Sequence, residues 1–183
     1  MRIALLTPLF PPDNTDSAQY VKTLCTKLTE HQVDLFLYTN IPEQIENVTM
    51  FPVSKRNPLP IRLLQFTYVL LRHARKHDVL LVQNGPSVEL PALLVSFISR
   101  TPVILTMSDR RATLSKLPLY VRLHRMLKKR AVAVFADNLD THMPPNKPDI
   151  LPFVPYPEKE LQQYSDAWAN HIKTLQTYLQ NVI

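Results

Sequence analysis

The chain has 183 residues, 45% of them hydrophobic, with a formal net charge of +6, one cysteine, one glycine and 17 prolines. That length suits one domain with a sizeable core, and the excess of cations favours anionic partners without choosing among nucleotide, phospholipid and nucleic acid. A single glycine excludes the dinucleotide fingerprint, the Walker A loop and the kinase glycine loop, which need several for close backbone approach to phosphate; a single cysteine excludes an internal disulfide and a cysteine-rich zinc site.

The first predicted element is a strand, Ile3 to Thr7, followed by a proline-rich turn and a helix from about Ser17 to Glu30, whose Val21, Leu24, Cys25 and Leu28 form one apolar stripe. Cys25 is expected to be a buried structural thiol. A strand from Val33 to Tyr38 and a weaker one from Val48 to Val53 come next, then a helix from about Ile61 to Lys76. Strand Val79 to Gln83, helix Val88 to Ser99, strand Val103 to Thr106, helix Leu119 to Arg130 and strand Val132 to Ala136 complete the alternation. Short, continuously apolar runs separated by helices predict an α/β fold: a Rossmann-like open parallel sheet with helices on both faces, over residues 1–144. Residues 145–164 are proline-dense and read as a linker. Residues 165–183 carry Trp168, Ile172, Leu175, Leu179 and Val182 at helical spacing, with Ser165 or Asp166 placed to cap a final helix. No apolar stretch approaches the ~18 to 20 residues that cross a bilayer, and Arg2 precedes only a short run that breaks at Pro8, unlike a signal peptide. The expectation is a cytoplasmic chain, with a peripheral place on the inner face of the membrane as its extension.

In open parallel sheets ligands bind beyond the carboxyl ends of the strands. The loops there are Pro8 to Asp16, Asn84 to Ser87, Met107 to Thr113 and Asp137 to Pro144. Asn14, Thr15, Asp16 and Ser17 open the first helix and fit two roles: amides and hydroxyls at a helix amino terminus attract an anion, or the same residues merely cap the helix, with Asp16 repelling phosphate. Asn84 and Gly85 flank the expected cleft, and Gly85 fits either positive φ beside a ligand or a tight turn before Pro86.

The opening MRIALLTPLFPPD, the helix pattern A-x-Y-V-x-x-L-x-x-x-L and the strand HQVDLFLYT resemble the start of family 4 glycosyltransferases of the GT-B fold. HDVLLVQNGPS and TPVILTMSD stand where that family has its fourth and fifth strands, so the resemblance covers most of residues 1–136. It implies an acceptor-side domain and a final helix that packs back upon it; the second domain, which in the family holds most of the sugar nucleotide, has no counterpart here. The family's Gly-Gly pair after the first strand is replaced by Asn14, Thr15 and Asp16, and its acceptor-binding histidine by Ser108. By the resemblance, Asn14, Thr15, Asn84, Gly85, Ser108, Arg110 and Arg111 would contact substrate. Beside Ser108, Asp109 fits a general base with the arginines clamping phosphate, or the same charged run is a solvated loop. A nucleotide-sugar donor is the implied substrate, with no metal or other cofactor, and a separate donor-domain polypeptide the implied partner.

Two segments, SKRNPLPIRLLQF and SKLPLYVRLHRMLKKR, interleave basic and apolar residues. Such a stripe is either core on one side and solvated charge on the other, or a surface that rests on anionic lipid or meets a lipid-linked acceptor through Lys55, Arg56, Arg62, Arg122, Arg125, Lys128 and Lys129. His73 and His77 lie one helical turn apart among cations, with no carboxylate to complete a metal site. Two functions compete: half of a glycosyltransferase, and a catalytically inactive binding or scaffold module that uses its basic face on membrane lipid or a protein. Nucleic acid is not expected, because aromatic residues are not clustered with the basic ones as stacking requires.

Overall fold

A computed structural model describes residues 1–13, 15–40, 43–107, 117–136, 150–152 and 161–181. Among the described residues twelve elements follow one another: β1 (Arg2–Thr7), α1 (Asp16–Lys27), β2 (Gln32–Tyr38), β3 (Val48–Val53), α2 (Leu59–Ala74), β4 (Val79–Gln83), α3 (Pro86–Ser99), β5 (Val103–Thr106), α4 (Pro118–Arg130), β6 (Ala133–Ala136), β7 (Ile150–Pro152) and α5 (Leu161–Asn181). The strands form one sheet in the order β3-β2-β1-β4-β5-β6-β7, every neighbouring pair parallel. This is the Rossmann-like α/β architecture that the alternation predicts.

The central strands are apolar on both faces because both are covered. Side chains alternate along β1, so Ile3 and Leu5 enter one core and Ala4 and Leu6 the other. Register carries the pattern across the sheet: Leu5 lies opposite Leu35 on β2 and Leu81 on β4. On the first face Val21 and Leu24 of α1, its C-cap Leu28, and Trp168, Leu175 and Leu179 of α5 close the core. On the second, Phe66 and Leu70 of α2, Val88, Ala92 and Val95 of α3 and Leu127 of α4 do so. The last helix therefore packs back on the sheet. Trp168 stacks on Tyr20 with ring centroids 5.5 Å apart, and Tyr20 Oη lies 3.0 Å from His171 Nε2.

Two readings of the tail are corrected. The stretch taken as a plain linker contains β7, paired with β6 through Val134↔Ile150 and Ala136↔Pro152. A three-residue edge strand ending on proline leaves no periodic trace, and an edge is where a sheet tolerates proline. Helix α5 begins at Leu161, so Ser165 and Asp166 lie inside it and do not cap it. The remaining linker residues lie outside those described.

Among the described residues no helix is long and apolar enough to cross a membrane. At the amino-terminal end of the sheet, His77 Nε2 lies 2.8 Å from Asp34 Oδ2 while its Nδ1 faces the His73 carbonyl at 2.9 Å. Both groups are buried, and the pair locks the end of α2 to β2.

Candidate functional site

The carboxyl ends of β1, β4 and β5 form a floor of buried polar side chains, Thr7, Gln83, Asn84 and Thr106. Thr7 Oγ1 hydrogen-bonds Gln83 Oε1, and Gln83 Nε2 donates to the Ser17 carbonyl at 3.0 Å. Gln83 thus ties β1, β4 and the first turn of α1 together. Asn84 continues the sheet, its N–H donating to the Thr106 carbonyl at 2.8 Å.

Over this floor runs the β1–α1 loop. Phe10 is buried beneath it, and the Asp13 N–H donates to the Phe10 carbonyl at 3.0 Å. Thr15 is the N-cap of α1, extended at φ −126° and ψ 149°, and its hydroxyl accepts from the Ala18 N–H at 3.2 Å. The capping role expected for this segment is therefore filled by Thr15. Asn14 lies outside the described residues. Asp13 is held from the other side: Lys55, just beyond β3, places Nζ 2.5 Å from Asp13 Oδ2. Lys55, grouped by its sequence with a basic surface, instead joins two rim loops. Asn40 accepts from the Lys55 N–H at 3.0 Å and from Ser54 Oγ at 3.2 Å, fixing the same corner.

Gly85 has φ +151° and is the N-cap of α3. A Cβ built there would stand 3.1 Å from Pro8 Cγ. The one glycine of the chain thus stands at positive φ where the β1 and β4 loops approach each other. Its N–H donates to Glu89 Oε1 at 2.9 Å. Glu89 is wholly buried and also accepts from Tyr120 Oη at 2.8 Å, while His124 Nδ1 lies 3.0 Å from both carboxylate oxygens. This hub was missed from sequence, because one acidic residue in a first helical turn reads as solvated. The available signal was Tyr120 and His124 four residues apart on α4, a spacing that puts both on one face. The Glu89 carboxylate counters the positive end of the α3 dipole, and it pins the start of α4 against that of α3.

Tyr38, at the end of β2, stacks on Phe66 and donates to the Ser87 carbonyl at 2.9 Å. Burial pushes its hydroxyl well above the usual tyrosine range, opposed by the nearby Arg62 cation. The Arg62 guanidinium stands 6.0 Å from the Tyr38 ring centroid, a cation–π contact. Arg56, Arg122, Arg125 and Lys129 are exposed and Lys128 is half-buried. Ser108, Asp109, Arg110 and Arg111 lie outside the described residues. His73 Nδ1 faces the Val69 carbonyl at 2.8 Å. Among the described residues no three His, Cys, Asp or Glu side chains gather as metal ligands.

The described rim is therefore a polar floor whose groups are hydrogen-bonded to one another. Its carboxylates, Asp13 and Glu89, are engaged by Lys55 and by the Tyr120–His124 pair. Positioning is what such a floor can supply.

No family model and no curated protein sequence matches the chain. Solved structures do. HepE of Anabaena in complex with UDP-glucose aligns with a TM-score of 0.53 at 15% identity, over 74% of this chain and 37% of that one. The UDP-GlcNAc 2-epimerase of Methanocaldococcus jannaschii aligns with a TM-score of 0.51 at 14% identity, over 76% of this chain and 40% of that one. The likeness is one of architecture, a GT-B glycosyltransferase-like fold, and the matched part is less than half the length of either protein.

Proposed function

We propose that this chain is the acceptor-side half of a glycosyltransferase. It moves a sugar from a nucleotide-sugar donor to a hydroxyl of a lipid-linked or polysaccharide acceptor, and a donor-domain polypeptide completes the cleft. The observation that carries this reading is the fold match: most of this chain corresponds to less than half of proteins described as bound to UDP-glucose or acting on UDP-GlcNAc. In this reading Asp109 takes the proton of the acceptor hydroxyl as its oxygen attacks the sugar carbon. Arg110 and Arg111 stabilise the departing nucleotide diphosphate, and no metal is needed. Asn84 and Gly85 fix the cleft wall.

The test removes the gene from its native cells and measures sugar transfer to endogenous acceptor before and after the chain is restored. The expected result is loss of transfer, rescue by the wild-type chain and no rescue by Asp109→Asn. Full rescue by Asp109→Asn would remove that residue from the chemistry, and transfer that never depended on the chain would overturn the proposal.

A second reading, a scaffold without chemistry, is favoured by how the described rim groups are spent: Thr15 on its cap, Lys55 on Asp13, Glu89 on α4. It predicts unchanged transfer in the same experiment.

A further inference from the structure

The outer surface of the α2–α3–α4 layer is unlike that of any other described part of the chain. Every exposed large apolar side chain among the described residues lies between Leu59 and Val132, on these three helices or the residues flanking them. On α2, Ile61, Leu64, Tyr68 and Leu71 are spaced three, four and three apart, which at 3.6 residues per turn puts them within about a quarter of the circumference. Leu64 is 72% exposed. On α3, Leu94, Phe97 and Ile98 point outward, and on α4, Leu119 and Met126 do, Leu119 at 81% exposure. Because α2 packs on α3 and α3 on α4, these exposed side chains belong to one layer of adjoining helices. Folding does not require them, since the inner stripes of the same helices already fill the core.

Charge on this face is one-sided. The three helices carry Arg62, Arg72, Arg122, Arg125, Lys128, Lys129 and Arg130, and their single carboxylate, Glu89, is buried against Tyr120 and His124. Arg130 lays its guanidinium 4.4 Å from the Phe97 ring centroid, so cation and apolar surface are interleaved. Any partner must accept apolar insertion and supply negative charge. A second copy of this chain would set cations against cations, which is costly.

We propose that the α2–α3–α4 face docks on an anionic lipid bilayer, with Leu64, Tyr68, Phe97 and Leu119 entering the interface and the arginines and lysines of α4 meeting the headgroups. The proposal does not depend on what the sheet rim does. It also departs from the basic set visible in sequence, because Lys55 is paired with Asp13 at the rim and the anchoring residues are apolar ones.

Flotation of the full chain with extruded vesicles tests it, using phosphatidylcholine alone and phosphatidylcholine with about one-third phosphatidylglycerol. The chain is expected to float with the anionic vesicles, and more weakly in high salt. Arg122→Glu and Arg125→Glu should each lower partitioning at least about fivefold, and Leu64→Glu or Phe97→Glu should abolish it. Lys173→Glu, on the solvent side of α5, should change nothing. All five sites are exposed, and unchanged denaturation midpoints will establish that the variants fold. Trp168, the single tryptophan, is buried in the opposite layer, so its emission should not shift on vesicle addition. No flotation, equal flotation with neutral vesicles, or flotation indifferent to Leu64→Glu and Phe97→Glu would each overturn the proposal. So would a doubled mass in solution that Phe97→Glu abolishes, which would give the face to self-association.

Discussion

On the α1/α5 side of the sheet the outward positions hold Gln19, Thr26, Lys27, Asn170, Lys173 and Thr177, while on the α2–α3–α4 side they hold Leu64, Tyr68, Phe97, Leu119 and Met126. The inward positions do not differ in this way. Both layers present aliphatic and aromatic stripes to a sheet that is equally apolar on its two faces. Inner faces of helices specify how the sheet is covered, and outer faces record what the covered protein meets next. One layer meets water; the other has a surface that water alone does not account for.

Mutations that separate the inner role of each layer from its outer surface sharpen this contrast. The largest effect is expected on the water-facing side at Trp168, which is buried against Tyr20: Trp168→Ala should cost about 4 kcal/mol in chemical denaturation. Phe97→Ala, on the outer surface of the other layer, should cost no more than about 1 kcal/mol, including its contact with Arg130. Next comes the tie between the apolar layer and the sheet. Asp34→Ala strands the buried His77 ring and should cost about 3 kcal/mol, which would show that an apolar outer face does not mean a loose inner one.

A smaller loss, about 2 kcal/mol, is expected for Gly85→Ala, because φ +151° is strained for alanine and its Cβ would press on Pro8. Differential scanning calorimetry will read it. A loss confined to alkaline pH lies under α1, where burial pushes the Cys25 thiol from 9.0 up to about 12. Between those values the unfolded chain has lost the thiol proton and the folded chain keeps it. The folded state then binds more protons, and raising the pH favours unfolding. About one pH unit above 9.0 this amounts to about 1.4 kcal/mol, and Cys25→Ala should flatten that limb of the stability curve.

The sheet was legible in the sequence because parallel strands covered on both faces must be short apolar runs, as ALL in β1 and VLLV in β4 are. Strand β7 was not, because three residues ending in Pro152 carry no period. Helix starts were placed within about two residues, as far as such boundaries resolve, except for α5, where polar Gln162 and Gln163 hid the first turn. At the rim, the capping role of the segment containing Thr15 was readable from local chemistry alone. The Lys55–Asp13 pair and the Glu89 hub were not, since each joins residues more than 30 positions apart that share no local pattern. The apolar outer face stayed hidden for a related reason. Leu64 and Leu70 look alike in sequence, and only the packing of α2 shows that Leu70 is core and Leu64 is surface.

Hydrogen exchange on the full chain, with and without vesicles containing phosphatidylglycerol, most directly addresses the difference between the two layers. Slower exchange in peptides from α2, α3 and α4, with α1 and α5 unchanged, is the predicted result. Slowing confined to α1 and α5, or no slowing anywhere, would contradict it.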